Sequence, residues 1–332
     1  MAAVILLLIA LGTLVAVYTL PDRLVPADQL EAEARLSLVS DERRNAIAVG
    51  AAIGAAFSLW LALGRHQLNR DANRTDRYSA AVPMLVHESL EVRLGGIYAL
   101  ERLLADSSRD APTVAQVLAA FVRERAAPRG DEMPHDVRAA IETLARVKDK
   151  PGGRQLDLVG VNLSRADLSG AHLRRARFDG GDLSGAVFIG ADLRGASFRD
   201  ANLAGADFTD ARLEDAVLYG VHAEGTVFRR ARLVAAMLDQ ITLERTDFSR
   251  ARAARACFAY ANGQADFRGA DLRGASFDKA DLRSSEMAGA RLQGANLRLA
   301  LLGAVRGLVG SQLRRASLDN TQLPDGLRDA QV

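Results

Sequence analysis

The apolar positions of the chain keep three rhythms in succession. Two long uncharged runs come first, AVILLLIALGTLVAVYTL over 3–20 and AIAVGAAIGAAFSLWLALG over 46–64. Each is just long enough to cross a bilayer as a helix. From 81 to 148 the apolar residues recur with helical spacing: Val92, Gly96, Leu100 and Leu103; then Val114, Val117, Leu118, Phe121 and Val122; then Val137, Ile141, Leu144 and Val147. That pattern predicts three or four short packed helices, broken at 107–112 and 127–134, with Pro112 and Pro134 suited to first-turn positions. From Leu158 to Phe258 every fifth residue is Leu or Phe at 19 of 21 positions, Ala223 and Ala253 excepted.

A helix turns about 100° per residue, so a five-residue step scatters these side chains around it. A flat strand sends alternate ones to opposite faces. Residues two apart in a strand do share a face, so Ala191 and Leu193 point inward together. The chain must then turn a corner before the next inward pair. A short strand plus a corner, repeated, coils into a β-solenoid with Leu and Phe in stacked layers and the other positions outward. The named core is Leu193, Phe198, Leu203 and Phe208, and, after a slip, Phe267 and Leu272. The slip is one missing residue within AYANGQA (259–265): Phe258 to Phe267 is nine residues, not ten. A kink near Gly263 is the expected consequence. The pattern then runs on to Leu302, and 310–327 reads as a Ser-capped short helix closing the open end.

The units ADLRG, ASFRD, ANLAG and ADFTD resemble the A-(D/N)-L-x-x repeats of pentapeptide-repeat proteins, over about 156–305. The resemblance implies a right-handed quadrilateral β-helix with four pentads per coil. At about 4.8 Å per coil the 29 pentads make a rod of roughly 34 Å. Upstream, RLGGIYALERLLADS, TVAQVLAAFVRERA and DVRAAIETLARV are similar to the helical segment of a membrane-anchored bacterial class of that family. The expected fold is therefore a transmembrane α-helical hairpin, a small α-helical segment and an all-β solenoid. The domains are a membrane anchor at 1–64, a helical adaptor at 65–150, the β-helix at 151–305, and a cap and tail at 306–332. The resemblance implies a multi-pass protein of the bacterial inner membrane.

Orientation rests on the basic residues flanking the spans. Arg65, Arg70, Arg74 and Arg77 follow the second span, and Arg23, Arg35, Arg43 and Arg44 lie in the loop between, a tie. The lack of a translocation signal and the single cysteine favour a cytoplasmic 65–332. In the second span Ala46, Gly50, Gly54, Ser58 and Ala62 fall every four residues, and Gly50-x-x-x-Gly54 permits close backbone approach. Packing against the first span is the favoured reading, and a homodimer seam is the other. Gly95-Gly96 would weaken a helix, and close packing against another backbone is the reason offered.

Composition adds mostly exclusions. The formal net charge is +2 and the solenoid itself holds 20 basic against 18 acidic residues, interspersed along the chain. That argues against nucleic acid and against a DNA mimic acting on a topoisomerase, which needs a strongly acidic face. It also makes a mixed solvated surface the reading of clusters such as Arg174, Arg175, Arg177 and Arg229, Arg230, Arg232. His172 and His222 occupy outward slots with no matched nucleophile, and Cys257 has no matched base. His87, His135 and Asp136 lack ligand spacing and read as surface or capping residues. No cofactor or metal is expected, and no catalytic residue. What remains is a non-enzymatic, membrane-tethered scaffold for a protein partner.

Overall fold

Four pentads close one square turn, so residues 20 apart stack. The parallel bridges Asn162↔Asp182, Asp182↔Asn202 and Asn202↔His222 show this spacing. The computed structural model describes residues 76–106, 109–126, 133–146 and 155–327, with isolated positions at 12, 44, 55, 58 and 59. Apart from Gly12, Ala55, Ser58 and Leu59, the two uncharged runs lie outside the described residues, and of the small-residue stripe only helical Ser58 is described. Among the described residues no helix is long and apolar enough to cross a membrane.

Within each pentad the backbone groups divide their work. The Leu163 N–H donates to the Asp182 carbonyl of the next coil at 2.8 Å, and the Asp182 N–H returns to Val161 at 2.9 Å. The Ala166 N–H turns back to the Leu163 carbonyl at 3.1 Å and closes the corner. The fifth residue of the pentad is left-handed, as at Gly190 with φ 67° and Ala235 with φ 56°. Glycine accepts that conformation freely, whereas a Cβ there costs about 1–2 kcal/mol. The second residue is often Asp or Asn because its carboxyl or amide oxygen accepts the N–H two residues on. Asp182 to Ser184 at 3.1 Å and Asp207 to Thr209 at 2.8 Å are examples.

Leu193, Phe198, Leu203, Phe208, Phe267 and Leu272 are fully buried, each preceded by an inward Ala. The phenylalanines occupy two opposed sides of the square. Phe188, Phe208, Phe228, Phe248 and Phe267 stack with centroids 4.7–5.2 Å apart, and Phe178 stacks on Phe198 at 5.0 Å. Across the bore the two columns meet edge to face, as Phe188 and Phe198 do at 6.1 Å. Stacking along the axis and edge contact across it suit the ring quadrupole. Alanine keeps the bore narrow enough for both.

The missing residue sits at Ala261–Gln264, a tetrad in place of a pentad. Gly263 takes the slot that Leu or Phe fills elsewhere, with φ 118°, and a Cβ there would lie 3.0–3.1 Å from the Leu243 and Glu244 backbone. Bridges before the slip span 20 residues and those across it 19, as in Asn262↔Asp281. The shortened corner removes the turn acceptor that the Ala265 N–H would have used. The buried Ser285 hydroxyl accepts it instead, at 3.1 Å. The same column holds Thr226 and Thr246, whose hydroxyls donate to the Leu203 and Ala223 carbonyls at 2.7 Å.

Among the described residues a helical stretch over 76–84 and three complete helices precede the solenoid: α1 (Leu90–Asp106), α2 (Ala111–Arg125) and α3 (His135–Arg146). Pro112 stands in the first turn of α2. Gly96 faces the backbone of the preceding helical stretch, where a Cβ would meet Ala81 O at 3.0 Å. Asp136 is neither a surface nor a merely capping residue. It is 1% exposed and pairs with Arg93 at 2.6 Å and Arg125 at 2.9 Å, one arginine from each of the other helices. Arg93 also donates to the His87 and Glu88 carbonyls. Removing one partner of such a buried pair costs about 3–5 kcal/mol.

The helices and the solenoid form one compact unit, Arg77–Val332, with a continuous apolar core. The 65–150 segment is thus more than an adaptor: α2 and α3 end on the first coil. The Asn162 N–H donates to Ala126 O, at the end of α2, at 2.8 Å. The His172 N–H donates to Ala145 O, at the end of α3, at 2.9 Å. Carbonyls that a helix leaves unpaired at its C-terminus meet N–H groups that a solenoid leaves unpaired at its start. Arg123 adds an ion pair to Asp157 at 2.6 Å.

At the other end the ladder runs past 305, through Asn296↔Ser317 and Leu301↔Gln322. A 3₁₀ turn, Gly310–Leu313, inserts one extra residue, and its N-cap is Val309, so Ser311 does not cap it. Gln312 turns its side chain inward. Its Nε2 donates to Met287 O and Ala290 O at 2.8 and 2.7 Å, supplying donors where the backbone has left the ladder.

Replacing Ser285 with Ala strands the buried Ala265 N–H and is expected to lower unfolding stability by about 1–3 kcal/mol. Ser285→Thr keeps the hydroxyl, as Thr246 does one coil away from the slip, and should recover most of it. Denaturant melts of the two variants decide this: equal destabilisation would remove the compensating role.

Candidate functional site

The outward positions form four ladders, and they are unlike one another. Face 1 carries Arg177, Ser197, Val217, Met237 and Cys257 in bridged succession, face 2 Asp182, Asn202, His222 and Thr242, face 3 Val187, Asp207, Val227 and Asp247, and face 4 Asp192, Arg212, Arg232 and Arg252. The interspersion of charge seen along the chain does not survive folding. Between 158 and 302, face 4 collects nine arginines against four acids, while the most acidic side, face 3, has six acids against four arginines.

The middle of face 1 is apolar. Met237 and Tyr260 are 43% and 50% exposed, and half-buried Val217 and Tyr219 lie one coil before Met237. Lys279 covers part of the Tyr260 ring at 5.0 Å and donates to its hydroxyl at 3.0 Å.

On faces 2 and 3 most arginines lie against a carboxylate, Arg165 and Arg250 excepted. Arg283 pairs with Asp281 and Arg268 with Asp266, both at 2.6 Å, and Arg229 with Asp247 at 2.8 Å. A depression of about 430 Å³ lies where α3 meets the first coil, lined by Glu142, Arg146, Asp167 and His172 among others. It is open and polar, and the Ser169 hydroxyl in its lining donates to Asp167 at 2.6 Å.

His172 and His222 fall on opposite faces, 4 and 2, because 50 residues is two and a half coils. Cys257 is half-buried, and its thiol lies 2.9 Å from Asp239 Oδ1. Burial and the Asp239 carboxylate push this thiol up from its ordinary pKa, so it stays protonated. Among the described residues no cluster of three or more His, Cys, Asp and Glu is arranged to hold a metal ion.

The turn carboxylates have a shared electrostatic character. Hydrogen bonds from Ser169 hold Asp167 below the usual carboxylate range, and bonds from Arg273 and Arg283 do the same for Asp271 and Asp281. A depressed folded pKa contributes stability above the unfolded value, about 3.9, and loses it as pH falls through the folded value. Thermal melts should therefore be flat from neutral pH to about pH 5 and fall below it. A midpoint that rises on acidification would contradict this.

Comparison with known proteins agrees with the geometry. A family model of pentapeptide repeats matches residues 157–195, 181–220, 196–234 and 264–302. The unmatched 235–263 contains Ala253 in a core slot and the tetrad at Gly263. No curated protein sequence matches the chain. Among solved structures, the chain is similar to HetL, a pentapeptide repeat protein involved in heterocyst differentiation regulation in the cyanobacterium Nostoc sp. strain PCC 7120. Identity is 27%, covering 51% of this chain and 90% of that one, with a TM-score of 0.32. It is similar to QnrB1, a plasmid-mediated fluoroquinolone resistance protein, at 19% identity over 45% and 80% of the two chains, TM-score 0.31. A pentapeptide repeat protein of the Arabidopsis thaliana thylakoid lumen matches at 24% identity over 46% and 70%, TM-score 0.18. Repeat motif, 20-residue coil and family match coincide: the solenoid of this chain is a pentapeptide-repeat β-helix.

Proposed function

We propose that the chain is a non-enzymatic scaffold that presents its solenoid to a protein partner through face 1. The observation that carries this is the apolar ladder of half-buried Val217 and exposed Met237, bordered by the aromatic rings of Tyr219 and Tyr260. A solenoid wall is rigid and repetitive, and apolar and aromatic side chains on such a wall supply the desolvated centre of an interface. The uncharged runs at 3–20 and 46–64 support a tether in the bacterial inner membrane, with 65–332 on the cytoplasmic side and a second copy as a further option through Gly50 and Gly54. A DNA-mimic reading fits less well, because no face is strongly acidic.

Affinity capture from membranes with the full chain and with Met237→Glu tests the reading. The expected result is a short, reproducible set of partners retained by the natural chain and weakened about tenfold or more by the substitution. The same set with both chains, or no reproducible partner, would overturn it.

A further inference from the structure

Face 4 gathers the arginines that the other faces hold singly. Arg212, Arg232 and Arg252 are bridged in successive coils, a spacing of about 4.8 Å, so three like charges are stacked in one column. Like charges directly opposite one another disfavour a sheet. On the other three faces the arginines that lack a carboxylate among the described residues, Arg199, Arg165 and Arg250, stand one to a face, and the rest are answered, as Arg229 is by Asp247 at 2.8 Å. Arg212 reaches Glu214 only at 3.8 Å. Arg232, Arg252 and Arg255 have no carboxylate partner among the described residues and are exposed. Between them stand Val234, Ala235 and Ala254, small enough to leave the guanidinium groups proud of a flat wall.

We propose that face 4 lies on an anionic lipid surface, its arginine column engaging phosphate headgroups. Guanidinium forks match phosphate oxygens, and a bilayer supplies them as a plane. A flat wall can apply its whole length to a plane but touches a duplex only along a line. Face 4 also lacks Phe, Tyr and Trp at every outward position from 172 to 294, so it offers no platform for unpaired bases. Face 1 then stands at right angles to the membrane and stays open to a protein. The inference rests partly on the proposed tether, which would hold the solenoid near lipid, and the experiment separates the two.

The full chain carrying Cys257→Ser receives a bimane label at Ala254→Cys on face 4 or, as control, at Ala204→Cys on face 2. It is mixed with phosphatidylcholine vesicles, with or without phosphatidylglycerol, containing a quencher at headgroup depth. Flotation and fluorescence are read together. The chain should float with both vesicles, and the Ala254 label should be quenched about twofold or more only in the anionic ones, reversibly with salt. The Ala204 label should be unaffected, and Arg232→Glu/Arg252→Glu/Arg255→Glu should abolish the quenching. Flotation with both vesicles but equal quenching at the two labels would overturn the proposal and leave the tether standing. Flotation with anionic vesicles alone, lost in the triple variant, would uphold it and remove the tether. Flotation with neither, or arginine-dependent binding of duplex DNA in place of vesicles, would overturn it.

Discussion

A coil of β-helix directs its ladder N–H and C=O groups along the axis, so each coil is complete only when another coil, or a substitute, meets it. Most of what is particular about this chain answers that constraint. Inside the rod the 20-residue register meets it with backbone alone. At the slip the register fails by one residue, and a buried hydroxyl, Ser285, takes the orphaned N–H of Ala265. At the C-terminal end the Gln312 amide substitutes for a backbone donor. At the N-terminal end the last carbonyls of α2 and α3 substitute for a preceding coil. The helices are in turn knotted together through Asp136, which two arginines hold out of water.

The five-residue period was legible because each inward slot accepts only a narrow range of shapes, and that range repeats in the sequence with little noise. The slip near Gly263 was legible for the same reason, as a count of nine where ten was due. Its repair was not. Ser285 looks like any other serine until the coil brings it beside Ala265, 20 residues earlier. Gln312 and Asp136 were missed on the same ground: their partners come from distant segments. Face 4 was hidden by counting charge along the chain, where Arg232 and Arg252 are separated by acids that fold onto other faces. Wrapping the sequence at 20, with the one-residue correction after 263, would have shown the column. The same arithmetic would have put His172 and His222 on opposite sides.

The inside of the rod is taken up by packing, and its walls carry the variety. Its bore is filled by Phe, Leu and Ala and leaves no cleft, and its one thiol is held protonated beside Asp239. On the proposed reading, the functional content lies in how the walls differ. Two adjacent walls depart from the mixed polar background in opposite ways, one toward apolar and aromatic residues and one toward unpaired arginine. A rigid rod keeps those two surfaces at a fixed angle, so engagement of one would set the orientation of the other.

Residue-resolved amide hydrogen exchange in the first coil tests the capping constraint most directly. Asn162, Asp167 and His172 occupy equivalent outward slots, but only Asn162 and His172 meet helix carbonyls among the described residues. Their amides should exchange as slowly as that of Asp182, which is bonded inside the rod, while the Asp167 amide exchanges orders of magnitude faster. Equally fast exchange at all three first-coil amides would show that the helices do not close the solenoid.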